Sequence, residues 1–177
     1  MRIVFGSDHG GAAFKLELMS RASALAPHLD LVDLGGDGSD PGDDYPDFSL
    51  RVGRAVAAGR ADRGVLICGS GVGAAIAATK IHGVRASVCH DPYTARQGVE
   101  HDDMNVLALG ARVIGMELAV ECLRAFLDAR FSMDIRHRRR VAKVLAIEAS
   151  NGRIDEAELA LEAVRTMGAP APAEVDP

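Results

Sequence analysis

A doubly wound α/β sandwich, with five parallel strands between two layers of helices, is the fold this sequence predicts. Three observations carry that prediction. Short apolar runs alternate along the chain with longer stretches of helical period. The runs are apolar throughout, as parallel strands covered on both faces require. One of them, Val65-Leu66-Ile67-Cys68, passes through a glycine loop, Gly69-Ser70-Gly71-Val72-Gly73, straight into a helical stretch. Together they specify a Rossmann-like three-layer α/β sandwich with a five-stranded parallel sheet.

The strands are expected at Ile3–Phe5, Leu31–Leu34, Val65–Ile67, Ala86–Cys89 and Val106–Leu109. Helices are expected over Ala12–Leu25, Asp47–Ala58, Val72–Ile81, Pro92–Val99 and Met116–Arg130. A further helix over Arg136–Ala149 lies beyond the last strand and is free to dock elsewhere, including on a partner subunit. After Ser150-Asn151-Gly152, residues Asp155–Met167 read as a short amphipathic helix, and the Ala/Pro-rich end reads as disordered. The chain divides into a domain over 1–149 and a C-terminal extension over 150–177. The loop from Gly35 to Asp44 reads as a flexible, solvated turn. Its aspartates lack the twelve-residue register and terminal glutamate of a calcium loop, so no metal is expected.

Composition narrows the class. With 177 residues the chain suits one ordinary domain. Its 48% apolar and 25% charged residues are those of a globular protein, and the net charge of −5 argues against nucleic acid as a main partner. The three cysteines, Cys68, Cys89 and Cys122, form no C-x-x-C pair, which fits a reducing cytosol. The first residues enter a strand at once, leaving no room for a signal peptide, and no apolar run nears the ~20 residues that span a bilayer. A cytoplasmic protein without membrane partners is expected.

Ligands of doubly wound sheets bind beyond the carboxyl ends of the strands. Asp8 and His9 follow the first strand, Cys68 to Gly73 the third, and Cys89-His90-Asp91 the fourth, while Asp44-Tyr45-Pro46 closes the long loop after the second. Backbone N–H groups of the glycine loop form a cradle for an anion. The thiol at its lip suggests chemistry, because a helix start favours a thiolate. Duller readings stand beside these. Asp8 can cap the next helix, His9 can be a surface residue, and Cys68 can be a small buried hydrophobe, as Cys89 and Cys122 are read. Tyr45 precedes Pro46, so its backbone should be extended. Arg136 and Arg140 lie one helical turn apart and can clamp a phosphate, or belong to a solvated basic face. A rival template is the dinucleotide fingerprint Gly69-x-Gly71-x-x-Ala74, with Asp91 about 20 residues on, but it follows the third strand instead of the first.

Five segments then occur in order: Gly6-Ser7-Asp8-His9-Gly10-Gly11, Asp44-Tyr45-Pro46, Cys68-Gly69-Ser70-Gly71-Val72-Gly73, Glu100-His101-Asp102-Asp103-Met104-Asn105-Val106-Leu107, and Arg136-His137-x-x-Arg140-Val141. Over about residues 1–149 the chain resembles the type B ribose-5-phosphate isomerases, whose relatives act on allose 6-phosphate, galactose 6-phosphate and erythrose 4-phosphate. The resemblance implies an aldose–ketose isomerase without metal or cofactor. Cys68 would be the base that takes the C2 proton and returns it to C1. Ser70, where relatives often carry threonine, would move a proton between O1 and O2. The N–H groups of Gly69, Gly71, Val72 and Gly73 would stabilise the enediolate. His101, with Asp8, would open the furanose ring. His9, Arg136, Arg140 and Arg112 would hold the phosphate, with Tyr45 and Asp102 also at the substrate.

Two positions depart from the pattern. Ala74 stands where one branch carries a glutamate base, leaving Cys68 no substitute. Asp102 stands where many relatives carry asparagine, and its charge repels an anionic intermediate unless offset. A nicotinamide-dependent oxidoreductase and a non-catalytic sugar-phosphate sensor are the readings from other classes. Topology adds an expectation about assembly. His101 lies between the fourth helix and fifth strand, at the amino edge of the sheet, and Arg136 and Arg140 follow a helix that returns there. Cys68 and Asp8 lie at the carboxyl edge, so His101, Arg136 and Arg140 should act across a homodimer, with a tetramer as the open alternative.

Overall fold

In the computed structural model, which describes residues 1–168, a single five-stranded parallel sheet has the order β2-β1-β3-β5-β4. Its strands are β1 (Arg2–Ser7), β2 (Asp30–Asp33), β3 (Arg63–Cys68), β4 (Ala86–Val88) and β5 (Val106–Gly110). Between and after them come α1 (Ala12–Leu25), α2 (Tyr45–Ala57), α3 (Val72–Ala78), α4 (Pro92–Asp102) and α5 (Met116–Asp128). Residues Met1–Arg130 form one compact unit, and the described residues from Phe131 onward form another.

Strand alternation divides the core in two. Ile3, Phe5, Val65, Ile67, Leu107 and Leu109 point to one face and pack with Leu18, Ala95, Cys122 and Phe126 of α1, α4 and α5. Val4, Leu66, Cys68, Val106 and Ala108 point to the other and meet Val52, Val56, Ala74 and Ala78 of α2 and α3. The small alanines of α3 let that helix lie close to the sheet. Each large side chain fully buried in this way contributes about 1.5–3 kcal/mol.

The strand order matters for the site. From β1 the chain crosses through α1 to β2 on one side, whereas from β3 it crosses through α3 towards β4 on the other. The carboxyl ends of β1 and β3, hydrogen-bonded neighbours with Ser7 opposite Ile67, are therefore a switch point where the following loops part and leave a crevice.

Several boundaries differ from those the sequence suggests. β2 and β4 are edge strands with half-buried or exposed residues, so their runs are not covered on both faces. Helix α2 begins at Tyr45, and the extended residue is Asp44, with φ −107° and ψ 126°; a proline in the first turn lacks only an N–H that would have no helical partner. Helix α4 continues to Asp102 before Asp103 turns left-handed, with the Met104 N–H returning to Gly98 O at 3.0 Å. His101 and Asp102 thus sit in its last turn instead of a loop.

The second unit holds α6 (Ile135–Ala149) and α7 (Glu156–Gly168), which pack on each other. Asn151 and Gly152, both at positive φ, make the turn between them. The Asp155 carboxylate accepts the Glu158 N–H at 2.8 Å, and the Glu158 carboxylate accepts the Asp155 N–H at 3.3 Å, a reciprocal cap. The expected disordered end falls at residues 169–177, outside the described residues.

The core makes a direct prediction. Leu107 is wholly buried on β5, between β3 and β4, so Leu107→Ala should cost about 2–5 kcal/mol. Urea unfolding should show a lower midpoint at an unchanged m-value.

Candidate active site

Loops from four strands meet at the switch point. After β1, Asp8 uses Oδ1 to accept the Gly11 N–H at 3.1 Å, which holds the turn into α1. Burial raises the Asp8 carboxyl above its ordinary range, and the neighbouring His9 charge opposes that rise. The tightness of the crevice shows at Gly11, where a methyl group would lie 2.6 Å from the carbonyl oxygen of Ile67 on β3.

Cys68 is the last residue of β3 and is 5% exposed. Its carbonyl accepts the Ala111 N–H at 2.9 Å, and the Gly69 carbonyl accepts the Arg112 N–H at 3.0 Å, so the loop is bound to the exit of β5. Gly71 takes φ +83° and caps α3, a conformation that suits glycine, and its N–H donates to Cys68 Sγ at 3.1 Å. The Val72 N–H donates to Ser70 Oγ at 3.3 Å. The cradle of Gly69, Gly71, Val72 and Gly73 thus forms around a buried sulfur and an exposed hydroxyl.

Three further side chains border this cradle. The Tyr45 ring lies against Gly73, where a methyl would come within 2.7 Å of Cζ. The Arg112 guanidinium lies across Gly69, 3.7 Å from where a methyl would stand, and its Nη2 is 3.8 Å from the same position on Gly10. His9 is fixed from the β2–α2 loop, where Asp43 Oδ1 accepts its main-chain N–H at 2.8 Å and pairs with its Nδ1 at 2.7 Å. The hydrogen bond to Asp43 raises the His9 pKa above the ordinary value, with the Asp43 and Asp8 charges adding to it.

Asp8, His9, Tyr45, Cys68 to Gly73 and Arg112 therefore share one rim. His101 and Asp102 do not, because α4 delivers them to the amino edge, before β5 begins at Val106. Arg136 and Arg140 are exposed, one turn apart at the start of α6 in the second unit. His137 between them is buried, with Nδ1 and Ser132 Oγ 2.6 Å apart. His90 accepts the Gly110 N–H on Nε2 at 2.9 Å and so braces the end of β5. Asp91 caps α4, accepting the N–H and the hydroxyl of Thr94, which occupies the acid of the dinucleotide spacing.

Two residues of this region escape a reading of the sequence. Lys15 is buried in the stripe Ala12, Lys15, Leu18, Ala22 of α1, and a lysine among apolar positions was the available signal. Asp43 is one acid among several in its loop and carries no local signal.

With this geometry in view, comparison with known proteins is decisive about class. A family model described as Ribose/Galactose Isomerase matches residues 3–144. The Escherichia coli protein named ribose-5-phosphate isomerase B is 44% identical over 147 residues, covering 83% of this chain and 96% of its own. A Mycolicibacterium smegmatis protein named D-erythrulose-4-phosphate isomerase 2 is 35% identical, covering 84% and 97%. The solved Clostridium thermocellum ribose-5-phosphate isomerase B superposes with a TM-score of 0.79 at 43% identity, covering 85% of this chain and 99% of that one. Such matches define an α/β isomerase enzyme acting on sugar phosphates. The chain belongs to the ribose/galactose isomerase family, alongside the type B ribose-5-phosphate isomerases.

The thiols offer a test of the rim. Burial raises Cys89 and pushes Cys122 up to about 11, and Cys68 Sγ lies at the rim, accepting the Gly71 N–H. Iodoacetamide at pH 8 should alkylate Cys68 ahead of the other two, as peptide mass spectrometry would show. Equal labelling would count against Cys68 as the reactive thiol of the rim.

Proposed function

We propose that the enzyme interconverts ribose 5-phosphate and ribulose 5-phosphate through a cis-enediolate, with Cys68 as the base. The observation that carries this reading is the Cys68 sulfur at the lip of an amide cradle, hydrogen-bonded to Gly71. The Cys68 thiolate takes the C2 proton of the open-chain aldose. The C–H electron pair becomes the C1–C2 double bond, and the carbonyl pair moves onto O1. Ser70 transfers a proton from O2 to O1, after which Cys68 returns its proton to C1 and the carbonyl reforms at C2. The N–H groups of Gly69, Gly71, Val72 and Gly73 stabilise the enediolate charge. Asp8 and Tyr45 bind the sugar, and His9 with Arg112 faces the phosphate. The chemistry asks for proton transfer and charge stabilisation, which these groups supply without a cofactor.

His101 opens the furanose ring, with Asp102 beside it at the substrate. Since α4 carries both to the amino edge, they stand one strand length, ~17–20 Å, from Cys68 of their own chain. The site is therefore shared in a homodimer, where His101, Asp102, Arg136 and Arg140 come from the partner, and pairs of dimers can build a tetramer. Residues 1–149 make up the isomerase domain, and 150–177 form an extension. Three unpaired cysteines suit work in the cytoplasm, and no helix among the described residues is long and apolar enough to cross a membrane.

A second reading is a four-carbon substrate, favoured by the Mycolicibacterium relative named for erythrulose 4-phosphate. The loop over residues 35–45, which borders the rim through Asp43 and Tyr45, would set chain length, with allose 6-phosphate and galactose 6-phosphate as longer alternatives.

Proton NMR of the enzyme with ribose 5-phosphate in deuterated water should show ribulose 5-phosphate labelled at C1, because the proton held on Cys68 exchanges with solvent before it is returned. Cys68→Ala should abolish this while leaving the fold intact. Turnover retained in that variant would remove Cys68 as base, and silence of the wild type towards five-carbon but not four-carbon substrates would favour the second reading. For assembly, Cys68→Ala and His101→Ala subunits are each expected to be inactive. After subunit exchange, heterodimers should regain about half the wild-type activity, because one of their two sites is then complete. No recovery after verified exchange would reject the shared site.

A further inference from the structure

The long β2–α2 loop is a fastened strap. Lys15, wholly buried on α1, donates from Nζ to Asp33 Oδ1 at 2.5 Å, Gly35 O at 2.8 Å and Gly36 O at 2.9 Å. Three acceptors satisfy the three N–H donors of an ammonium group that has no access to water. Ser7 adds its N–H to Gly35 O at 3.3 Å and its hydroxyl to Gly36 O at 3.1 Å. Gly36, at φ +81°, comes so close that a methyl would sit 1.6 Å from the Ser7 carbonyl oxygen. Two side-chain turns, Asp37 to Ser39 and Asp40 to Gly42, then carry the strap to Asp43. There the carboxylate grips both the main-chain N–H and the ring Nδ1 of His9.

This double grip does more than bury surface, since the His9 side chain is 39% exposed. An exposed ion pair contributes little to stability, but it fixes which nitrogen faces the strap and leaves Nε2 as the remaining donor of the ring. The charged groups around His9 are Asp8 from its own loop, Asp43 from the strap, and Arg112, which reaches over Gly10 from the β5–α5 loop.

We propose that Asp43, carried on the strap that Lys15 pins, is a positioning residue that holds the His9 ring as an oriented cation against the substrate phosphate. The proposal rests on the reading of the site as a sugar-phosphate isomerase. Its pH consequence has a definite sign. The hydrogen bond to Asp43 raises the His9 pKa, so the ring stays charged further up the pH scale, and KM rises only as pH climbs through that raised value. Removing the Asp43 charge moves the rise to lower pH.

The test is Asp43→Asn, with the His9 ring titrated by NMR without substrate and kinetics followed across pH. The expected result is a His9 midpoint moved to lower pH, with KM for ribose 5-phosphate about tenfold higher at pH 8 and kcat held within about a factor of three. Lys15→Met should move the His9 midpoint the same way, and should add no further shift in the Asp43→Asn background, where the grip is already lost. An unchanged midpoint in Asp43→Asn overturns the pairing, and a moved midpoint with unchanged KM overturns the positioning role. If Lys15→Met does not fold, Asp43→Asn still decides. Should the wild type turn over no sugar phosphate, the functional reading fails separately, because the ring titration needs no substrate.

Discussion

Two main-chain hydrogen bonds tie the exit of β3 to the exit of β5, and the rim takes its geometry from them. Because the Cys68 and Gly69 carbonyls are claimed by the Ala111 and Arg112 N–H groups, the glycine loop cannot swing away from the sheet. Gly71 then lies against the Leu109 backbone, where a methyl would approach Leu109 C to 3.0 Å. Its left-handed turn aims the N–H at Cys68 Sγ. The same bonds bring the Arg112 guanidinium across Gly69. His90 reinforces the arrangement from β4 through the Gly110 N–H. A thiol, an amide cradle and a cation are thereby held in register by backbone contacts, which long side chains alone would hold loosely.

Charge is distributed around this frame with a division of labour. Lys15 is buried and fully hydrogen-bonded, and it organises the strap. Asp43 and Asp8, both partly buried, flank the more exposed His9 ring and bias it. An enediolate develops charge only as the proton leaves carbon, so donors already in place cost little reorganisation at that moment. A phosphate far from the reacting carbons can meanwhile supply binding energy that holds C1 and C2 at the base. The amino edge carries the ring-opening candidates, so in this reading one chain's sheet serves two sites, one at each edge.

Much of the fold was legible in local pattern. The centres of β1, β3 and β5 are continuous apolar runs because helices cover both their faces. The edges were harder to read. β2 and β4 bury less of their surface, and α4 extends through polar residues to Asp102 because a left-handed Asp103 closes it. Tyr45 was expected before the helix, and its ring against Gly73 depends on α2 and α3 sharing a face of the sheet. At the site, Cys68, Gly71 and Asp8 stood out because strand ends and glycine loops have sequence signatures. Lys15 had a faint one as a charge in an apolar stripe, and Asp43 had none.

The sequence by itself determined the alternation of strands and helices, the thiol at a glycine loop, and the ordered motifs that mark the family. Each is encoded by neighbouring residues, through periodicity, helix capping and glycine's freedom at positive φ. Only the tertiary structure decided which loops meet. The order β2-β1-β3-β5-β4 brings β1 beside β3 and parts their following loops. It also carries His101 to the opposite edge and sets Asp43 on His9 across 34 residues of chain. Such contacts depend on the direction of each crossover, and a crossover is chosen by the packing of the whole sheet rather than by any segment within it.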